Sequence, residues 1–152
     1  MNIPQTSFPR IVIVGGGFAG LATARELENK ELQVVLIDKH NYHTFQPLLY
    51  QVATGGLEPD SIAFPLRKRF NDVDNFFFRL AEVTNINSEE NEIETTIGNL
   101  EYDKVIIVLT NSKMKRYYER LLGDLKITIV TRVELIEYCV ASGYNYTERL
   151  HI

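Results

Sequence analysis

Three glycines, Gly15-x-Gly17-x-x-Gly20, lie between a run of β-branched residues and a run of helix formers. Ile11-Val12-Ile13-Val14 reads as a short strand of the kind buried on both faces of a parallel sheet. Ala19 to Lys30 reads as a helix, with Leu21, Ala24, Arg25 and Leu27 at helical spacing, and Gln33 to Ile37 as a second apolar strand ending at Asp38. Strand, glycine turn, helix, strand and acid in that order make a βαβ unit with a right-handed crossover. Gly15 permits the tight turn, Gly17 lets backbone N–H groups approach a pyrophosphate, and Gly20 lets the helix pack close to the strand. The helix N-terminus offers N–H donors and a partial positive charge to phosphates. Asp38 stands where a carboxylate accepts hydrogen bonds from ribose hydroxyls and repels a 2′-phosphate, which argues against NADP. The fingerprint alone does not choose between NAD and FAD.

The chain continues from Lys39 to Pro65 without clear periodicity, through Pro47, Gly55-Gly56, Pro59 and Pro65, as a functional loop region does. Ile62 to Phe70 reads as a helix with Arg67-Lys68-Arg69 facing solvent. Phe76 to Ile86, Glu92 to Ile97 and Glu101 to Leu109 read as three strands, joined by turns at Asn87 to Asn91 and Gly98-Asn99. Phe76-Phe77-Phe78 then belongs to a strand core. Beyond these, Met114 to Leu122 and Val133 to Ala141 read as helices and Lys126 to Thr131 as a strand. The fold class is α/β: a Rossmann-like FAD/NAD(P)-binding domain, a parallel sheet with helices and an antiparallel β-meander. The expected division is the N-terminal portion of a dinucleotide-binding domain over 1–112 and a tail of different pattern, helix-strand-helix, over 113–152.

Composition narrows the function by exclusion. A formal net charge of −4 provides no basic field for nucleic acid. Cys139 is the only cysteine, so no internal disulfide forms and a reducing, cytoplasmic setting is expected. Met1 to Pro9 lacks the features of a signal peptide, and no apolar run reaches the length of a membrane span, so any membrane contact is expected to be peripheral. His40 and His43 stand three apart without a Cys close by, and loop hydrogen bonding accounts for them better than a metal. Gly123-Asp124 reads as a helix cap.

The segment that follows Asp38 is more specific than the glycine turn. Val14 to Leu21 (VGGGFAGL) together with Asn41 to Leu57 (NYHTFQPLLYQVATGGL) resembles the N-terminal region of type II NADH dehydrogenases. These are the non-proton-pumping NADH:quinone oxidoreductases of the two-dinucleotide-binding flavoproteins. The resemblance runs from Pro9 to Tyr102-Asp103 and includes Leu57-Glu58-Pro59, Ile62 to Arg67 and Ala81-Glu82-Val83. It implies that Gly15, Gly17, Phe18, Ala19 and Gly20 bind the pyrophosphate of FAD and Asp38 the adenosine ribose. It places Lys39 and Asn41 near the adenosine end, Gln46, Pro47 and the stretch to Gly55 along the isoalloxazine, and the Val83 backbone against adenine. The residues themselves suit this: Tyr42, Phe45, Leu48, Leu49, Tyr50, Gln46 and Gln51 supply an apolar, aromatic wall with a few amides.

The resemblance further implies hydride transfer from NADH to FAD and electron delivery to quinone, with peripheral contact at the cytoplasmic face of the membrane. The cofactor carries that chemistry, so no protein nucleophile or acid–base group is expected. Family members carry a second glycine fingerprint in an NADH domain, and this sequence has one fingerprint only. Leu109-Thr110-Asn111 stands where the family has Ala-Thr-Gly, and nothing from Met114 onward resembles it. The lone chain is therefore expected to be an FAD-binding half. The alternatives are another FAD or NAD protein sharing only the βαβ unit, a non-catalytic module that recruits a partner through the tail, and a vestigial chain.

Overall fold

A computed structural model of the chain describes residues 1–109 and 127–131. The βαβ unit forms as expected: β1 (Arg10–Val14), α1 (Phe18–Glu26) and β2 (Gln33–Asp38). β1 pairs in parallel with β2 on one side and with β9 (Lys104–Leu109) on the other. β5 (Phe76–Leu80) lies beyond β2 and β10 (Ile127–Thr131) beyond β9, which gives a five-stranded parallel sheet of order β10-β9-β1-β2-β5. The apolar runs of β1 and β2 are continuous because both faces of this sheet are covered.

Successive residues of β2 serve opposite faces. Val34 and Leu36 pack with Ile13, Ala24 of α1, Leu66, Phe70, Phe76 and Phe78. Val35 and Ile37 pack with Val12, Val105, Ile107, Ile93, Leu100 and Tyr102. The second group brings in a three-stranded antiparallel meander of β6 (Val83–Asn87), β7 (Glu92–Thr95) and β8 (Leu100–Glu101). The parallel sheet therefore has the helix on one face and the meander on the other.

Several elements depart from the sequence reading. The helix ends at Glu26 rather than Lys30, and Asn29 takes a left-handed φ of 56°. Residues 27–32 are instead held from the turn before β5: the two side-chain amide protons of Asn75 are shared among the carbonyls of Leu27, Lys30 and Leu32. The stretch from Lys39 to Pro65 is not irregular. β3 (Tyr42–Thr44) pairs antiparallel with β4 (Ala63–Pro65), and between them lie 3-10 turns at Gln46–Leu48 and Pro59–Ile62 and a short helix, α2 (Leu49–Ala53). Elements of three to five residues are too short to display a period. The helix expected from Ile62 shrinks to α3 (Leu66–Arg69), because β4 takes the residues before it and Pro65 caps it; Arg67, Lys68 and Arg69 do face solvent.

Two expected strands each split between sheets. Phe76 to Ile86 breaks at Ala81-Glu82 into β5 and β6, and Glu101 to Leu109 breaks at Tyr102-Asp103 into β8 and β9. Ala81 and Tyr102 are buried at these breaks, so the apolar pattern runs on while the chain changes layer. Phe76 and Phe78 lie in the core as expected, and the turn at 87–91 forms with Asn91 at positive φ. The second turn comes earlier than expected: β7 ends at Thr95, and the chain turns at Thr96-Ile97, closed by the Gly98 N–H donating to the Thr95 carbonyl, with Gly98 at φ +111°. The expected helices over 114–122 and 133–141, Thr110-Asn111, Gly123-Asp124 and Cys139 lie outside the described residues. No helix among the described residues is long and apolar enough to cross a membrane.

Asn75 spans the link from α1 to β2 with one side chain, and removing it leaves those carbonyls to solvent or unpaired. Asn75→Ala should cost about 1–2 kcal/mol in urea unfolding. A change within about 0.3 kcal/mol would show that the link holds itself.

Candidate dinucleotide site

The glycine turn begins where β1 ends. Gly15 has φ +107° and its N–H donates to the Ile37 carbonyl at 2.9 Å, so the turn is anchored to β2. Gly17 is the N-cap of α1, in extended backbone, and the first turn of the helix contains no acid and no side-chain cap. A helix start of this kind offers N–H donors and positive potential to an anion. The space needed for approach is present: a Cβ on Gly17 would meet no heavy atom within 4 Å. Gly20 is the opposite case, since a Cβ there would lie 1.9 Å from the Gly15 carbonyl oxygen.

Asp38 closes the site from the end of β2. Its Oδ2 accepts the Gly16 N–H at 2.5 Å and its Oδ1 the His40 N–H at 2.7 Å. A carboxylate has about four lone-pair positions, so two backbone donors leave room for two ribose hydroxyls.

The segment after Asp38 folds back over the turn. His43 Nδ1 lies 3.1 Å from the Gly16 carbonyl oxygen, and its ring stands edge-on to Phe18 at 4.5 Å between centroids. Phe18 in turn meets Phe45 at 5.5 Å. The Phe45 N–H donates to the Ile62 carbonyl and the Leu66 N–H to that of Asn41, which pins both ends of the segment. Leu66 is fully buried, and its Cδ1 would lie 2.7 Å from a Cβ on Gly16. Burial pushes the His43 imidazole below its usual 6.5, against the opposing pull of the Gly16 carbonyl and the Asp38 charge.

Gly15, Gly17, Phe18, Ala19, Gly20 and Asp38 thus converge at the C-terminal ends of β1 and β2 and the start of α1. Lys39 and Asn41 follow Asp38 and are exposed. Val83 opens β6, two residues beyond the Ala81 N–H that donates to the Asp38 carbonyl at 2.9 Å. Gln46 and Pro47 lie on the exposed 3-10 turn, and Gly55 follows α2 with φ +75°, as a helix-ending glycine does. Of the aromatic wall, Tyr42, Leu49 and Tyr50 are exposed, Tyr50 to 62%. No metal-binding cluster occurs among the described residues.

Two residues of the site escaped the sequence reading. Gly16 is masked by the glycines on either side, whose spacing alone matches the fingerprint. His43 forms a hydrogen bond, as the sequence leads one to expect, but it does so from β3 rather than from a loop, and its partner in the glycine turn, 27 residues away, has no signal in the sequence.

A family model for pyridine nucleotide-disulphide oxidoreductases matches residues 9–133. The chain belongs to that family. Its match extends beyond residue 112, and β10 lies within it. The chain is 43% identical over 77 residues to the type II NADH:quinone oxidoreductase Ndh of Mycobacterium tuberculosis, covering 51% of this chain and 17% of the relative. It is 36% identical over 102 residues to NdhA of the same organism, covering 64% and 22%. Among solved structures it resembles NDH2 of Plasmodium falciparum in complex with NADH, with a TM-score of 0.61 and 25% identity over 69% of this chain and 23% of that one. It also resembles the sulfide:quinone oxidoreductase of Aquifex aeolicus, with a TM-score of 0.59 and 29% identity over 67% and 24%. The chain spans about a fifth of the length of the two curated relatives.

The two glycines predict opposite responses. Gly20→Ala should cost about 3 kcal/mol or more in denaturant unfolding, because backbone must move. Gly17→Ala should cost about 1 kcal/mol or less, the difference between glycine and alanine at an N-cap.

The His43 shift gives a pH signature. The unfolded chain takes up a proton near 6.5 while the folded group resists it. Its contribution is therefore fully present above about pH 6.5 and is lost as pH falls through the lower folded value. The wild type should lose stability relative to His43→Asn as pH falls below about 6.5. Parallel pH profiles for the two proteins would exclude this linkage.

Proposed function

We propose that this chain holds the ADP half of FAD, as part of a flavoprotein like the type II NADH:quinone oxidoreductases. The observation that carries the reading is the open approach to Gly17 beside the Asp38 carboxylate, at the junction of β1, α1 and β2. A pyrophosphate fits the helix start and a ribose the acid, while a 2′-phosphate is repelled. Likeness to relatives named type II NADH:quinone oxidoreductase favours FAD over NAD at this site.

In this reading Gly15, Gly17, Phe18, Ala19 and Gly20 hold the pyrophosphate and Asp38 the adenosine ribose. Lys39, Asn41 and the Val83 backbone flank the adenosine, and Gln46, Pro47 and the chain to Gly55 border the ring system. The exposed Tyr42, Leu49 and Tyr50 are apolar surface on the same segment. When bound, FAD supplies hydride acceptance from NADH and electron delivery to a quinone. The chain's own part is to bind, orient and shield. Residues 1–112 form the binding portion. NADH, quinone and peripheral membrane contact at the cytoplasmic face enter this reading only through likeness to the relatives, of which the chain spans about a fifth.

Titration of flavin fluorescence with the full chain tests the reading. Saturable FAD binding should weaken about 10- to 100-fold in Asp38→Ala, the effect of losing hydrogen bonds to a charged group. NADH competing as well as FAD would favour the NAD alternative. A folded chain that binds neither would leave only shared ancestry.

A further inference from the structure

We infer that His43 is a positioning residue for the dinucleotide turn: it fixes and polarises the Gly16–Gly17 peptide, whose N–H is presented to the ligand. The inference rests on the dinucleotide reading above for its functional consequence and on local geometry for its substance. A carbonyl only accepts hydrogen bonds, so the 3.1 Å contact between His43 Nδ1 and the Gly16 oxygen requires the proton on Nδ1. In a trans peptide the C=O and the following N–H point in opposite directions. With His43 on the carbonyl side, the Gly17 N–H points away from the imidazole. Among the described residues this N–H has no protein acceptor, and Gly17 is exposed. A hydrogen bond to one end of a peptide strengthens the donor at the other.

The adjacent peptide is treated in the complementary way. The Gly16 N–H is taken by Asp38 Oδ2, so Asp38 and His43 grip both polar groups of Gly16, one from β2 and one from β3. The imidazole has little freedom to leave. His43 pairs with Phe64 in the β3–β4 ladder, and its ring meets Phe18 edge-on. Phe18 is the first residue of α1, so the imidazole touches both the turn and the start of the helix.

Asparagine separates the hydrogen bond from bulk, because its side-chain N occupies nearly the place of histidine Nδ1, while leucine fills the space and donates nothing. In the full chain, His43→Leu should weaken FAD binding about tenfold and His43→Asn should restore it to within about twofold. Nitrogen-15 NMR of the unliganded wild type should give an Nδ1–H imidazole. The Gly17 amide proton should shift upfield in His43→Leu and return in His43→Asn. Equal FAD affinity in wild type and folded His43→Leu overturns the inference, as does an Nε2–H tautomer in the wild type. If the wild type binds no FAD, the flavin reading alone fails, and the tautomer and Gly17 amide decide the role of His43. The tautomer is read on the wild type, so a variant that does not fold leaves the test intact.

Discussion

Among the described glycines the tightest approach is that of Gly20 to the Gly15 carbonyl, which leaves no room for a side chain. That contact brings the start of α1 onto the end of β1, and every other feature of the site follows from it. The helix start lies beside the end of β2 because the Gly15 N–H is tied to Ile37. Asp38, one residue further, then reaches Gly16. Relaxing the approach would tilt the helix away, separating its N–H donors from the carboxylate that completes the site.

A second layer secures the first. The segment from Tyr42 to Leu66 returns on itself through the β3–β4 pair and lays His43, Phe45 and Leu66 over the turn. Leu66 belongs at once to this layer and to the core beneath α1, so the covering segment is rooted in the packed interior. The same segment keeps Tyr42, Leu49 and Tyr50 exposed. The segment is thus packed through His43, Phe45 and Leu66 while Leu49 and Tyr50 stay at the surface.

The two sheets share one interior through alternation. Val35 and Ile37 face the meander while Val34 and Leu36 face α1. The meander is thus part of the core, and the chain leaves β5 for it at Ala81-Glu82, just beyond Leu80, the residue paired with Asp38. The proximity of Val83 to the acid end of the site arises from this change of layer.

The sequence by itself determined the βαβ unit, because strand, glycine turn, helix and acid are local patterns with local physical causes. The β-branched run, the glycine spacing and the acid at the strand end each speak within a few residues. The same is true of the first hairpin turn of the meander, at 87–91. Tertiary structure decided where continuous apolar segments divide. Ala81 and Tyr102 are buried on both accounts, and only the competition between two sheets for the chain sets the break there. It also decided the end of α1, since Asn75 captures the following carbonyls from 43 to 48 residues away. Gly16 and His43 belong with these. Their hydrogen bond joins a turn to a distant strand, and no periodicity or composition records a partner that only packing supplies.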